Sequence, residues 1–164
     1  MQSPKLAYNF NLIGPGAKPL HLNDFNGKVV LLVFGYTACP DDCPTTLNKL
    51  HEVIELAGHH ADGIQVIMIT VDPEKDTPDK INRYASSFHP SFIGLTGKLE
   101  DIQTTGLQYN VFFQKHPYNN IDGYLVDHTA TISLIDPDGF LRVVYPQDVT
   151  AKTIADDCIY ILSR

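Results

Sequence analysis

Cys39 and Cys43 are the residues of this chain whose types and spacing most clearly allow chemistry. Positions i and i+4 fall on one face of a helical turn, so two thiolates at this spacing are expected to point at one metal ion or to close a disulfide. Thiolate sulfur selects Cu(I), zinc or iron–sulfur clusters. Two sulfurs are too few for a closed structural zinc site, which needs four nitrogen or sulfur ligands. The pair therefore predicts either a copper site with few ligands or a redox-active dithiol.

The sequence predicts a buried strand before the cysteine pair and a helix after it. Residues 29–35 form a continuous apolar run, which is typical of a central strand covered on both faces. Pro44 suits the first turn of a helix because its missing N–H would have no partner there. Leu47, Leu50 and Val53 continue with helical spacing. The thiols are therefore predicted at a helix N-terminus, where the positive end of the helix dipole lowers the pKa of a thiol.

The rest of the chain gives the order hairpin, β, α, β, α, β, α, hairpin, β, β, α. A helix is predicted over 78–88, and two short paired segments over 111–113 and 124–126 are joined by a loop that contains Pro117. Strands that alternate with helices and end in an antiparallel hairpin and a helix predict an α/β fold. We expect a thioredoxin-like three-layer α/β/α sandwich with a mixed sheet, an N-terminal hairpin and a β-hairpin insertion.

Length and composition narrow the function classes. A chain of 164 residues predicts one domain, residues 1–164, with a core large enough to fold without a disulfide. The formal net charge of −7 and the lack of a Lys/Arg cluster argue against nucleic-acid binding. No stretch approaches the roughly 18 apolar residues that span a bilayer. The third cysteine, Cys158, has helical spacing with Ile154 and is predicted to be a small buried hydrophobe.

A third copper ligand has one leading candidate, His128, which comes just before the apolar strand that begins at residue 130. In the predicted fold the loop at this point faces the turn that carries the cysteines, and two sulfurs with one imidazole make a reasonable trigonal site for Cu(I). Asp72, at the end of the second buried strand, either orients the site or caps its own loop. The other six histidines are predicted to be solvated, and they are His21, His51, His59, His60, His89 and His116.

Three blocks of the sequence occur together in a fixed order: 34–44 (FGYTACPDDCP), 71–78 (VDPEKDTP) and 124–129 (YLVDHT). Together they resemble the Sco/SenC family of copper-binding assembly proteins, whose blocks have the same order and separation. The similarity extends from about Phe10 to the C-terminal helix. A lone C-x3-C would be weak evidence, whereas three blocks in register are strong.

The resemblance implies a thioredoxin fold that binds one copper ion, Cu(I) or Cu(II), per chain, with Cys39, Cys43 and His128 as ligands. Members of that family help to mature the dicopper CuA centre of cytochrome c oxidase. The expected partners are therefore the CuA-bearing oxidase subunit or another copper chaperone. Family members are tethered by an N-terminal transmembrane helix and face the bacterial periplasm or the mitochondrial intermembrane space. We expect this chain to be the soluble domain of such a protein, with the anchor outside it.

Two functions of different classes stay open at this level. The first is a copper metallochaperone, which binds copper and transfers it by ligand exchange. The second is a thiol–disulfide reductase, in which Cys39 or Cys43 attacks a disulfide of apo-CuA or of another partner and His128 is dispensable. A peroxidase of the peroxiredoxin type is disfavoured because the sequence lacks a clear peroxidatic cysteine environment with its Thr and Arg.

Overall fold

The structure is a computed structural model that describes residues 5–39, 42–117, 124–128 and 131–164, with the backbone alone for 42, 114–117 and 124–128. The strands are β1 (Lys5–Leu6), β2 (Asn11–Ile13), β3 (Pro19–His21), β4 (Val29–Gly35), β5 (Ile64–Thr70), β6 (Ile93–Leu95), β7 (Phe113–Pro117), β8 (Tyr124–His128), β9 (Thr131–Ile135) and β10 (Phe140–Pro146). The α-helices are α1 (Asp42–Ala57), α2 (Pro78–Ser86), α3 (Leu99–Gln108) and α4 (Ala151–Leu162), and short 3-10 segments cover Pro15–Ala17, Leu22–Phe25 and Gly58–Gly63.

A six-stranded mixed sheet in the order β1-β10-β9-β4-β5-β6 organises the fold. Strands β4, β5 and β6 are parallel, whereas β9 pairs antiparallel with both β4 and β10. Every residue of β4 and β5 is buried, because both faces of these central strands are covered. The predicted mixed sheet and central apolar strand are therefore confirmed.

Neighbouring residues of β4 identify the two covering layers. A Cβ atom at Gly35 would meet the Cys43 side chain of α1, so this side of the strand faces α1. Phe34 points to the other side, where its ring lies 6.4 Å from that of Tyr109 at the end of α3. Helix α4 packs beside α1. The sheet is therefore sandwiched between helical layers, as the thioredoxin-like prediction requires.

The predicted hairpins are also present, with shifted ends. β2 pairs with β3, β9 with β10, and β7 with β8 in a separate two-stranded sheet. Pro117 was predicted in a loop but ends β7, which it can do because β7 has one neighbour and needs no N–H on its other side. Helix α2 is capped by Thr77, as Pro78 at its first position favours, and stops at Ser86 rather than at 88.

Candidate metal centre

The two cysteines lie together at the N-terminus of α1, where both are buried and neither is in a disulfide. Cys43 is in the first turn of the helix, and its N–H donates to Sγ of Cys39 at 3.3 Å. The helix begins at Asp42, slightly earlier than the start predicted near Pro44, so Cys39 precedes it. Cys39 places its sulfur at the helix end, where it accepts the Cys43 N–H. An N–H donor and the helix dipole both favour the thiolate form of its sulfur.

Gly35, the last residue of β4, allows this approach of the helix end to the sheet. A Cβ atom there would lie 2.7 Å from Sγ of Cys43 and 2.8 Å from Cε of Met68, closer than such atoms pack. The carbonyl of Gly35 accepts the N–H of Val71 at 2.8 Å. Glycine at this position therefore lets the Cys43 sulfur sit directly against the strand, as part of the packing where β4 and β5 end.

The turn between β4 and Cys39 is fixed from the side by a buried aspartate. The N–H of Cys39 donates to the carbonyl of Tyr36 at 3.1 Å, which closes the turn. Inside that turn, Thr37 donates its N–H to Oδ2 of Asp76 at 3.1 Å and its hydroxyl to Oδ1 at 2.5 Å. Asp76 is 1% exposed. The Cys39 turn is thus held by a residue 37 positions further along the chain.

Sequence reasoning missed Asp76 as part of the site. The residue lies in the block 71–78, but nothing in its local pattern distinguishes it from a loop carboxylate. Its second anchor is the hydroxyl of Thr70, which donates to Oδ2 at 2.7 Å. A buried carboxylate is costly to desolvate unless hydrogen bonds compensate for the lost water, and here three donors do so. The signal that could have found it is the pairing of this block with the cysteine block at one end of the sheet.

Asp72, the predicted orienting residue, is buried close to the end of β5. Its carbonyl accepts the N–H groups of Lys75 and Asp76, at 3.2 and 3.0 Å, and its own N–H donates to the hydroxyl of Thr70 at 2.9 Å. The backbone of Asp72 therefore forms the turn that presents Asp76. These bonds belong to the backbone, so both roles predicted for the Asp72 side chain, orienting the site and capping its loop, stay predictions.

Tyr84 of α2 is a second neighbour of the thiols that the sequence did not reveal. Burial first, and then the nearby Cys43, Cys39 and Asp76 groups, together raise the pKa of Tyr84 to about 12. Its hydroxyl is buried and has no hydrogen-bond partner among the described residues. Tyr84 therefore supplies a phenol to the surroundings of the two sulfurs.

His128 ends β8, where it pairs with Phe113 of β7. Ile132 in β9 pairs with Val33 in antiparallel β4, so the start of β9 lies at the end of the sheet where β4 leads into the cysteine turn. His128 is three residues before β9 and therefore emerges near the same end. Its side chain lies outside the described residues, and among those that are described no group of three or more His, Cys, Asp or Glu could hold a metal. The Cys2His site stays a prediction.

The other titratable residues lie apart from the cysteine pair. Cys158 is fully buried in α4, and burial raises the pKa of its thiol to about 12, so the prediction of a small buried hydrophobe is confirmed. His51 was predicted to be solvated, but its ring nitrogens contact the Phe88 carbonyl at 2.6 Å and Glu55 at 2.7 Å. It therefore ties α1 to the segment after α2.

The fold and the cysteine turn define a class: a thioredoxin-like domain with two buried thiols at a helix N-terminus. The SCO1/SenC family model matches residues 1–163. The chain belongs to the SCO1/SenC family, as the three sequence blocks predicted.

Individual relatives agree with this assignment. An SCO2-like protein of Rickettsia conorii is 37% identical over 143 residues, which cover 86% of this chain and 70% of the relative. The mitochondrial SCO2 homolog of Bos taurus is 41% identical over 135 residues, covering 81% of this chain and 51% of the relative. The structure of Bradyrhizobium japonicum ScoI with copper bound matches with a TM-score of 0.85 and 37% identity, covering 96% of this chain and 99% of that one.

A helix can cross a bilayer only if it is both long enough and apolar enough. Within residues 5–39, 42–117, 124–128 and 131–164, no helix has both the length and the apolar character that a bilayer crossing requires.

Proposed function

We propose that this chain is a copper-binding domain, residues 1–164, that holds one copper ion through Cys39, Cys43 and His128 and uses it in the assembly of cytochrome c oxidase. The observation that carries the proposal is the pair of adjacent sulfurs. Cys39 and Cys43 are buried, neither is in a disulfide, and the backbone N–H of Cys43 donates to the sulfur of Cys39 at 3.3 Å. Two soft sulfurs at one point suit Cu(I), which needs few ligands.

The third ligand is argued from topology. β9 runs antiparallel to β4, so the chain just before β9 approaches the end of β4 from which the cysteine turn emerges. His128 occupies that stretch, and an imidazole added to two thiolates also accommodates Cu(II). The copper-bound ScoI relative supports the same class of cargo.

The proposed partner is the CuA-bearing subunit of cytochrome c oxidase or another copper chaperone, in the bacterial periplasm or the mitochondrial intermembrane space. The family assignment supports the proposed partner, and the mitochondrial SCO2 homolog of Bos taurus supports the proposed compartment. Transfer is expected by ligand exchange between thiolates. Mixing the copper-loaded chain with a purified apo-CuA domain should produce the CuA absorption spectrum, and a spectrum that stays that of free copper would remove the delivery role.

An anaerobic copper titration of the reduced protein tests the three ligands. We expect wild type to retain one copper per chain and to show sulfur-to-Cu(II) charge-transfer bands, with an EPR spectrum typical of sulfur ligation. His128→Ala should lose the Cu(II) bands. His116→Ala, on the neighbouring strand β7, is the matched control and should keep them. Unchanged bands in His128→Ala would overturn the three-ligand site.

A thiol–disulfide reductase is the second candidate, and one observation favours it. The N–H of Cys43 donates to Sγ of Cys39, which stabilises a thiolate on Cys39 and marks it as the attacking sulfur. Cys39 would attack a partner disulfide and release one partner thiolate. Cys43 would then attack Cys39 in the mixed disulfide, closing an intramolecular disulfide and releasing the second partner thiolate. Accumulation of a stable mixed disulfide in Cys43→Ser would support this reaction.

A further inference from the structure

We propose that Asp76 is the positioning residue of the cysteine pair, because it fixes the turn that carries Cys39 and so keeps the Cys39 sulfur within reach of Cys43. The inference deepens the proposed function, since it concerns the same two thiols, and only its copper-dependent part rests on that function.

The attachment of Asp76 to the turn is double and short. Oδ2 accepts the N–H of Thr37 at 3.1 Å and Oδ1 accepts the hydroxyl of Thr37 at 2.5 Å. Thr37 is two residues before Cys39, whose own N–H closes the turn on Tyr36. A carboxylate that accepts two donors of one residue fixes both the position and the rotation of that residue. The start of the cysteine loop is therefore determined by where Asp76 lies.

Asp76 is itself anchored to the sheet. The hydroxyl of Thr70, the last residue of β5, donates to Oδ2 at 2.7 Å, and the N–H of Asp76 donates to the carbonyl of Asp72 at 3.0 Å. Lys80 lies 3.9 Å from Oδ1, but its side chain is half exposed and adds little. The carboxylate therefore couples the end of β5 to the turn after β4 through a site that water does not reach.

The position of the Cys39 sulfur should depend on Asp76 more than the position of the Cys43 sulfur does. Cys43 is part of α1, so the helix and its packing against Gly35 hold the Cys43 sulfur. Cys39 precedes the helix, its N–H closes the turn on Tyr36, and its sulfur accepts the N–H of Cys43. Loosening the turn should move the Cys39 sulfur while Cys43 stays in place. A chemical reaction that needs both sulfurs is therefore the sensitive readout.

The rate of disulfide closure measures this directly and needs no copper. The reduced chain is treated with glutathione disulfide: a protein thiolate attacks it, a mixed disulfide forms and one glutathione thiolate leaves. The second protein thiolate then attacks the protein sulfur of the mixed disulfide, and the second glutathione thiolate leaves. Acid quenching and mass spectrometry follow the mixed disulfide and its closure.

The variants separate positioning from general stability. Asp76→Ala removes all three accepted bonds, and Thr37→Val removes only the hydroxyl bond to Oδ1. Asp76→Asn keeps the shape and part of the hydrogen bonding. Asp136→Asn is the matched control, because Asp136 is also a buried aspartate that accepts backbone N–H groups, at the other end of the sheet.

We expect closure to slow about tenfold or more in Asp76→Ala, since a misplacement of roughly 1 Å can cost about a hundredfold. Thr37→Val should slow it less, Asp76→Asn should restore much of the rate, and Asp136→Asn should leave it unchanged. Closure in folded Asp76→Ala within about twofold of wild type would overturn the proposal. If Asp76→Ala does not fold, Thr37→Val decides, and a rate equal to that of Asp136→Asn overturns it.

A copper competition with a chelator of known Cu(I) affinity completes the test. We expect Asp76→Ala and Thr37→Val to weaken Cu(I) retention in the same order as they slow closure. If wild type holds no copper, the proposed function fails while the closure result still stands. If wild type holds copper and closure is unaffected in both variants, the positioning role fails alone.

Discussion

The two ends of the central sheet are both anchored by a buried aspartate, but the two aspartates gather their partners differently. At the end away from the cysteines, Oδ1 of Asp136 accepts the N–H groups of Asp138 and Phe140, each at 3.0 Å. All of these partners lie within four residues. At the cysteine end, Asp76 takes two of its three donors from Thr37, which is 39 residues away. The Asp136 bonds form together with the β9-β10 hairpin. The Asp76 bonds form only when β4, β5 and the loop that carries Asp76 have assembled.

This difference separates a folding element from a functional one. The Asp136 turn closes the β9-β10 hairpin, so we expect changes there to act on stability alone. The Asp76 cluster holds Thr37, two residues before Cys39, so we expect changes there to affect both stability and the chemistry of the cysteine pair.

Removal of each carboxylate gives the largest contrast. Asp76→Ala leaves three donors without their acceptor, the buried Thr70 hydroxyl and the two half-buried groups of Thr37, and should lower the free energy of unfolding by about 3–4 kcal/mol. Asp136→Ala leaves two half-buried backbone N–H groups without their acceptor and should cost about 1–2 kcal/mol. Denaturant unfolding measures both values. An Asp136→Ala variant as unstable as Asp76→Ala would contradict the larger stabilising role assigned to Asp76.

Each end of the sheet also has a glycine, and replacing it should affect the two ends differently. Gly35→Ala places a Cβ against the sulfur of Cys43 and should destabilise the fold by about 1–3 kcal/mol while also slowing disulfide closure. Gly139→Ala has space for its Cβ but a φ of +91°, so it should cost about 1–2 kcal/mol through the backbone alone. Closure kinetics should be normal in Gly139→Ala. Equal closure rates in the two variants would show that the Gly35 contact does not position Cys43.

The stability of the fold should also depend on pH through His51, which joins α1 to the segment after α2. The hydrogen bonds to Glu55 and to the Phe88 carbonyl raise its folded-state pKa above 6.5. Its contribution to stability is therefore fully present below pH 6.5 and is lost as the pH rises through the raised folded pKa. His51 is partly exposed, so the effect is small.

The measurement is the melting temperature of wild type and His51→Gln across about pH 5.5–8.5, from roughly one unit below to two units above the ordinary histidine pKa. The difference between the two proteins should shrink towards high pH. Burial and then the charge of His51 lower the pKa of His89, so His51→Gln also relieves part of that shift and the measured difference is the net of the two effects. A difference that grows as the pH rises would contradict the assignment.

Cys158 should give the smallest effect. Its thiol is fully buried and has a pKa of about 12, so it should not react with glutathione disulfide in the native chain. Cys158→Ala should cost about 1 kcal/mol by leaving a small cavity. Mass spectrometry should find closure between Cys39 and Cys43 unchanged in this variant, and glutathione on Cys158 in the native protein would contradict the prediction.

Much of the architecture was readable from local patterns. The apolar run of β4 predicted a buried strand, Pro44 predicted the start of a helix, and the DPDG segment 136–139 predicted the turn of the β9-β10 hairpin. These features depend on residues that are close in sequence, so the pattern contains the physical cause. The element ends were less certain, because the last turn of a helix such as α2 depends on packing as well as on its own sequence.

Local sequence patterns were enough to place two thiols at a strand-to-helix junction, with Cys39 ahead of the helix, and three blocks in register predicted the family of the chain. The folded structure was needed to show that Gly35 must leave room for the Cys43 sulfur and that Asp76 holds the cysteine turn. A buried carboxylate and a solvated one look alike in a sequence, and their difference comes from donors that the folded sheet brings from distant parts of the chain.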